Sequence, residues 1–484
     1  MTTEVHFGTD GWRGIVADDF TYENVRLVAQ SVALYLASDK RSIVVGHDTR
    51  YCAELFATEV ARVLAGNGHS VVLLDRPVPT PVVSWTVVEQ KAAGGVMVTA
   101  SHNPPEFNGL KYKPDYGGSA SPEITAELEK QLVVAQRNGA RMVTMEEARA
   151  SHLVAMLDPV PAYVAQIGRI VDVPRVSAAG LSILHEPMYG AGQGLVARVL
   201  GQGKTTVTEI HGERNPGFGG LHPEPIDRYM SEAMAKMKAG GFDLCIANDG
   251  DADRVGIIDE NGQFINQLQV AALLSMYLLE KRQMKGALVR SLTSTSMMDK
   301  LGERFGVDVH ETMVGFKYIG PKMMELDAIL GAEESGGFAF RGHIPERDGI
   351  LAGLLIAQMA VDYGLSVSGL VKHLESLVGP HRYARHDIRL EREGYGEKKE
   401  KFYQKLRSEM PQEIAGRKIA RTRTDDGFKF YMADGSWVLV RFSGTEPLIR
   451  VYSEAPSQEQ VGELMSSLEE FLQLGVAAPV EVHA

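Results

Sequence analysis

Ser101 stands at the tip of TASHNPPEFNGLKY, where a strand-like run, VMVTA, breaks at Ser-His-Asn-Pro-Pro. The prolines and the Asn and Gly residues around them are turn formers, so the Ser101 hydroxyl and the His102 imidazole are expected at the end of a strand. A serine hydroxyl is a weak nucleophile near neutral pH, and it reacts only beside a base or when it already carries the group to be transferred. Lys111, just past the turn, supplies a charge that neutralises phosphate or, where burial lowers its proton affinity, exchanges a proton. Alone, a serine beside a histidine also describes an ordinary surface turn.

Asp249, Asp251 and Asp253 alternate along DGDADR, so three carboxylates share one tight turn eased by Gly250. Hard oxygen donors in this number suit Mg²⁺, which keeps positions open for water or a phosphate oxygen. A calcium-binding EF-hand is excluded. Glu260 falls at the twelfth loop position, but Arg254 replaces the glycine required at the sixth and the flanks read as strands. Arg254 beside these carboxylates fits a phosphate ligand next to a metal.

Glu333, Glu334 and Ser335, before Gly336 and Gly337, offer carboxylates and a hydroxyl on a flexible turn, suited to the vicinal hydroxyls of a sugar. RFSGTEPLIR gathers Arg441, Ser443, Gly444, Thr445 and Arg450 around a bend. Hydroxyls, free backbone N–H groups and guanidinium groups there form a phosphate cradle. A solvated acidic turn, a surface glutamate pair and a plain hairpin end are the bland alternatives for these segments taken singly.

The elements that must hold these groups repeat. A strand at residues 42–50 is followed by an amphipathic helix, the strand SVVLLD, the helix VVSWTVVEQ and a strand at residues 94–103. The same order runs from LSILHEP to FDLCIANDGDADR, and again from GALVRSLTST to AILGAEESGG. Strands alternating with helices imply βαβ units and a mainly parallel sheet, whose ligands bind beyond the carboxyl ends of strands. Each repeat's last strand opens into a loop that carries chemistry.

From about residue 380 the pattern changes. A charged stretch leads to GFKFYMADGSWVLVRF, whose ADGS reads as a hairpin turn, and to an amphipathic helix over residues 458–474. The expected architecture is therefore α/β: three similar mixed α/β domains built from βαβ units, at residues 1–155, 156–258 and 259–376. A C-terminal α+β domain, 377–484, completes them around a central cleft.

The bulk properties exclude other classes. A length of 484 residues suits several domains. The net charge of −12 repels nucleic acid and anionic lipid, so a phosphorylated substrate must be drawn in by local basic clusters. Cys52 and Cys245 are the only cysteines, neither a disulfide framework nor a zinc site, as fits a reducing cytoplasm. The first residues lack an apolar signal core, and the apolar run at residues 350–361 is too short to span a bilayer and reads as a buried helix.

FGTDGWRG, TASHNPPEFNGLKY, NDGDADR, GAEESGG and RFSGTEPLIRVY together resemble, in order and along the whole chain, the α-D-phosphohexomutase superfamily of phosphoglucomutases, phosphomannomutases and phosphoglucosamine mutases. The resemblance implies four domains, three of them alike. It implies that Ser101 is phosphorylated in the active enzyme and joins Asp249, Asp251 and Asp253 around Mg²⁺. Arg13, His102 and Lys111 match residues that bind phosphate or move protons. Glu333 and Ser335 match sugar-hydroxyl contacts, Arg254 a phosphate contact, and Arg441, Ser443, Gly444 and Thr445 the distal phosphate loop. Arg290 and Lys317 match positive charges of the substrate site. Where some members read EMSGH or EQSGH, this chain reads EESGG, so Gly337 replaces a histidine proposed to transfer protons; His343, in RGHIPERDG, is the expected substitute.

The resemblance thus implies a cytoplasmic enzyme, monomer or homodimer, acting on a hexose phosphate, with glucose 1,6-bisphosphate as intermediate and activator. EESGG, TASHNPP and HIPERDG lean toward glucose phosphates, whereas SGTEP also occurs in phosphoglucosamine mutases; mannose phosphates are the other alternative. An aspartyl phosphotransferase of the haloacid-dehalogenase type, with Asp249 as nucleophile, leaves Ser101 unexplained. A catalytically idle sugar-phosphate sensor would have lost the transfer groups, which are present here except at the Gly337 position.

Overall fold

The computed structural model describes residues 5, 11–391, 393–442 and 447–474. Its first three sheets share one strand order: a return strand, the repeat's third strand, its first, its second. In the first sheet these are Phe107–Pro114, Gly94–Val98, Ile43–His47 and Val71–Leu74, with Trp12–Ile15 and Val154–Leu157 at the edges. The second sheet has Val255–Asp259, Leu244–Asn248, Ser182–Glu186 and Thr206–Glu209, with Phe264–Ile265 outside. The third has Phe338–Phe340, Leu330–Ala332, Leu288–Ser291 and Val309–Thr312.

The three strands of each repeat pair in parallel, and the return strand pairs antiparallel with the third. The sheets are thus mixed, and the reason lies in the connections. Loops 99–106, 249–254 and 333–337 are too short for a parallel crossover, which needs about a dozen residues or more, so the chain turns straight back. Each chemistry-bearing segment is consequently a hairpin tip at a strand's carboxyl end.

The fourth sheet is antiparallel, in the order Arg382–Arg389, Leu448–Ala455, Trp437–Phe442, Phe428–Met432, Arg417–Arg423, Glu413–Ile414. The expected ADGS turn is present: Gly435 has φ +88°, and Asp434 Oδ1 accepts the Ser436 N–H at 2.9 Å. Helix Gln458–Leu472 buries Val461, Leu464, Met465, Leu468 and Leu472 against this sheet, the spacing of one helical face.

Helix Gly349–Tyr363 carries the apolar run foreseen as buried, and all of residues 349–360 are inside. Asp348 caps it, accepting the Leu351 N–H at 2.9 Å, and Gly364 ends it at φ +65°. Among the described residues no single helix is long and apolar enough to cross a membrane.

The third and fourth sheets meet through charge. Glu311 accepts from Arg290 Nη1 at 2.5 Å, from Lys429 Nζ and Arg423 Nη1 at 3.0 Å, and from the Tyr431 hydroxyl. Ser296 N–H donates to Glu454 Oε1 at 2.9 Å beside this cluster.

Candidate active site

Strand Gly94–Val98 delivers Ser101 to its hairpin tip with φ +53°, a left-handed conformation that a residue with a Cβ adopts only when neighbours enforce it. Ser101 is 1% exposed, and its Oγ donates to Asp249 Oδ2 at 2.9 Å. The His102 Nδ1 lies 3.3 Å from the same Oγ. Burial, then the positive charges of Arg254, Arg13 and Lys111, push the His102 pKa well below the ordinary imidazole value. His102 is therefore neutral near pH 7 and able to hold or release a proton beside the serine oxygen. Arg13, on the edge strand Trp12–Ile15, donates to Asn103 Oδ1 at 2.5 Å in the same loop.

Asp249, Asp251 and Asp253 are fully buried, and one ligand oxygen from each lies within 4.8 Å of the others. Lys111 Nζ bridges Asp251 Oδ2 at 2.8 Å and Asp253 Oδ2 at 3.0 Å. Thr80 donates its hydroxyl to Asp251 Oδ2 and its N–H to the Asp251 carbonyl. Burial raises the Asp249 pKa, and Asp251 and Asp253 raise it further. Burial also works against an ionised Asp251, but Lys111, with the Thr80 hydroxyl and Arg347, holds that carboxyl below the usual range. The Oδ1 atoms of Asp251 and Asp253 are buried without a hydrogen-bond partner. Oxygens of this kind are costly unless a cation satisfies them, so the donor set fits Mg²⁺.

The metal turn and the third repeat's tip are stitched together. Arg254 and Gly337 form a β-bridge, and Val255 N–H donates to the Gly336 carbonyl at 3.0 Å. Arg254 reaches Glu224 Oε1 at 3.0 Å. Glu333 Oε2 accepts from Ser335 Oγ at 3.1 Å, whereas Glu334 turns toward Tyr383 and Arg385 of the fourth sheet. Arg347 bridges the two tips, with Nη2 at 2.9 Å from Asp253 Oδ2 and Nη1 at 3.4 Å from Glu333 Oε2. Its stem crosses the empty side of Gly337, where a Cβ would lie 2.2 Å from Arg347 Cδ.

A buried serine on an acidic triad, a bridging lysine and the Glu333–Ser335 loop are thus brought together from three repeats. Family models described as phosphoglucomutase/phosphomannomutase alpha/beta/alpha domains I, II and III match residues 4–137, 161–262 and 266–377, and the C-terminal domain of that family matches 397–470. The chain belongs to the phosphoglucomutase/phosphomannomutase family. A phosphoglucomutase/phosphomannomutase of Thermococcus kodakarensis is 30% identical over 97% of both chains. A phosphoglucosamine mutase of Carboxydothermus hydrogenoformans is 29% identical over 96% of this chain and 99% of the relative. A solved structure of a protein assigned as a phosphomannomutase from Thermus thermophilus superposes with a TM-score of 0.84 at 33% identity, covering 98% of this chain and 100% of the other. The protein is a phosphohexomutase, an isomerase-type phosphotransferase.

Within this family frame, not every residue expected at the cleft reaches it. The His343 side chain is fully buried, its Nε2 lies 2.9 Å from Asp348 Oδ2, and its ring stacks on Trp85 at 5.7 Å. Tyr163 donates to the same carboxylate at 2.9 Å, so His343 belongs to a packed junction of three domains rather than to proton transfer. Arg290 is likewise corrected: it is 3% exposed, with its guanidinium on Glu311 and Asp299 at 2.5 and 2.8 Å, which makes it a structural ion pair. Lys317 lines a groove with Ser121, Thr312 and Arg423, its ammonium over the Tyr318 ring.

Arg441 and Arg450 lie directly opposite one another on paired strands, held by Asp426 at 2.8 Å and Asp387 at 3.7 Å. Ser443, Gly444 and Thr445 lie outside the described residues. Sequence reasoning missed Thr80, Glu224 and Arg347. Of these only Arg347 left a trace, a lone guanidinium between acidic residues in HIPERDG.

Proposed function

We propose that this phosphohexomutase interconverts glucose 1-phosphate and glucose 6-phosphate by way of phosphorylated Ser101 and glucose 1,6-bisphosphate. The observation that carries this reading is the 2.9 Å contact between Ser101 Oγ and Asp249, in a turn that Lys111 closes from the other side. A free hydroxyl there is inert, whereas a phosphoserine is ready to transfer.

Asp249, Asp251 and Asp253, with a phosphate oxygen on Ser101, would hold Mg²⁺. When bound, it supplies charge neutralisation at the transferring phosphoryl group. The chain's own groups do the rest. The sugar's free hydroxyl attacks phosphorus as the bond from phosphorus to Ser101 Oγ breaks, and neutral His102, its Nδ1 3.3 Å from that oxygen, is placed to take the hydroxyl proton and pass it to the departing serine oxygen. Lys111 and Arg347 offset phosphate charge. Glu333 and Ser335 accept and donate hydrogen bonds to the sugar hydroxyls, Arg254 contacts the phosphate beside the metal, and Arg441, Ser443, Gly444, Thr445 and Arg450 receive the distal phosphate. After the bisphosphate turns over in the cleft, the other phosphate returns to Ser101.

EESGG and HIPERDG support glucose as the sugar. Turnover of glucose 1-phosphate, mannose 1-phosphate and glucosamine 1-phosphate tests this: glucose 1-phosphate is expected to have the highest kcat/KM, and a strong preference for either of the others refutes it. Phosphopeptide mapping tests the nucleophile. The phosphate is expected on Ser101, and a phosphoaspartate with unmodified Ser101 overturns the mechanism.

A further inference from the structure

The Ser101 turn is held from behind by a residue that takes no part in the chemistry above. Arg50 follows strand Ile43–His47 and is 1% exposed. Its guanidinium donates to three carbonyls of the serine loop and one of the return strand: Nη2 to Ser101 at 2.5 Å and Asn103 at 2.6 Å, and Nη1 to Pro104 at 2.8 Å and Phe107 at 2.9 Å. Its Nε faces Asp48 Oδ2 at 3.3 Å. That same Oδ2 accepts the Thr99 hydroxyl at 2.6 Å, and Thr99 Oγ1 accepts the Ser101 N–H at 2.8 Å.

Both polar groups of the Ser101 backbone are thus tied to one buried pair, the carbonyl to Arg50 and the N–H through Thr99 to Asp48. Two contacts extend the hold into the second domain. The Phe218 ring lies 4.8 Å from the Arg50 guanidinium carbon, and a Cβ on Gly250 would lie 2.5 Å from the Ser101 carbonyl oxygen. The serine peptide is therefore clamped between Arg50 and the metal turn. A left-handed serine needs such over-determination, and only a planar fork with several fixed donors satisfies a ring of carbonyls at once; an ammonium cannot.

We propose that Arg50 is a positioning residue for phosphoryl transfer, enforcing the left-handed Ser101 turn and so aiming its oxygen at the Asp249 turn and the sugar. The proposal rests on the phosphoserine reading. Arg50 is buried and directs its donors to the serine loop and the return strand, so its loss is expected to move the reacting atom rather than to weaken binding.

The test uses the full-length enzyme and glucose 1,6-bisphosphate labelled with ³²P. In Arg50→Lys, Ser101 is expected to take up label, the KM for glucose 1-phosphate to stay within about 3-fold, and kcat to fall about 100-fold, the scale of an ångström-sized misplacement. In Arg50→Gly, added guanidinium is expected to restore kcat at least about 10-fold while methylammonium does not, because only a planar fork reproduces the bonds. Should the Arg50 variants not fold, Phe218→Leu removes the supporting ring without stranding a charge, and kcat is expected to fall several-fold at constant KM. Arg50→Lys with kcat within about 3-fold of the parent overturns the proposal, as does guanidinium that restores the melting temperature but not kcat, or a Phe218→Leu variant with unchanged kcat. Absence of label on Ser101 in the parent enzyme instead overturns the phosphoserine reading itself.

Discussion

Arg347 reaches Asp253 at 2.9 Å by passing through the space that Gly337 leaves vacant. One guanidinium thereby joins the acidic turn of the second repeat to Glu333 in the third, and Gly337 has to lack a side chain for it to do so. Gly337→Ala is expected to displace Arg347 and lower kcat/KM by about 10- to 100-fold, as Arg347→Ala should alone. The double variant is expected to be little worse than either single one. Steady-state kinetics of the three variants check this, and additive losses would show that the residues act separately.

The orphaned Oδ1 atoms of Asp251 and Asp253 predict a metal requirement. Chelation is expected to abolish turnover and Mg²⁺ to restore it. Asp253→Asn should lower affinity for Mn²⁺, titrated calorimetrically as a Mg²⁺ substitute, at least about tenfold, since it removes one of few anionic donors.

The two histidines considered for proton transfer should separate. His102→Gln is expected to lower kcat about 100-fold or more with little change in KM, the usual scale for a lost acid–base group. His343→Gln breaks the contact with Asp348 at 2.9 Å and should lower the melting temperature while leaving kcat within about 3-fold, because the junction is structural. Kinetics and calorimetry on both variants distinguish the roles, and a large kcat loss in His343→Gln would return that residue to the cleft.

Glu311 ties the fourth sheet to the third. Although burial opposes its charge, Arg290 and then Lys429 hold its carboxyl below the ordinary glutamate value of 4.5. A folded pKa below the unfolded one means that stability is present above the unfolded value and is lost as pH falls beneath it. Glu311→Gln is therefore expected to destabilise the enzyme by about 3 kcal/mol at pH 7, by stranding buried cations, and to do so less as the pH drops below 4.5. Denaturant titrations at pH 7 and pH 4 measure the difference, and a pH-independent penalty would contradict it.

The groups that lie close together in the chain were legible from the residues. Asp249, Asp251 and Asp253 share one turn, Ser101 and His102 sit at the break of a strand, and both positions follow from alternation and turn chemistry alone. The return strand after each tip was less visible, because a short apolar run such as FAF, residues 338–340, carries no mark of its pairing direction. His343 and Arg290 looked available because a motif shows residue types and hides what they touch. Their partners, Asp348 with Trp85 and Asp299 with Glu311, are set by packing.

The order of residues was enough to specify three βαβ repeats and a different tail, with a serine, an acidic turn and the Glu333–Gly337 loop at strand ends. Those features depend on periodicity and on neighbours within a few residues. Which charges are free to act was decided by the packing of the whole chain. Ser101 meets Asp249 across 148 positions and Arg50 across 51, and Arg347 finds its path only where Gly337 from another turn has no side chain. Burial and ion pairing join residues far apart in the chain, and no local pattern encodes which distant group arrives first.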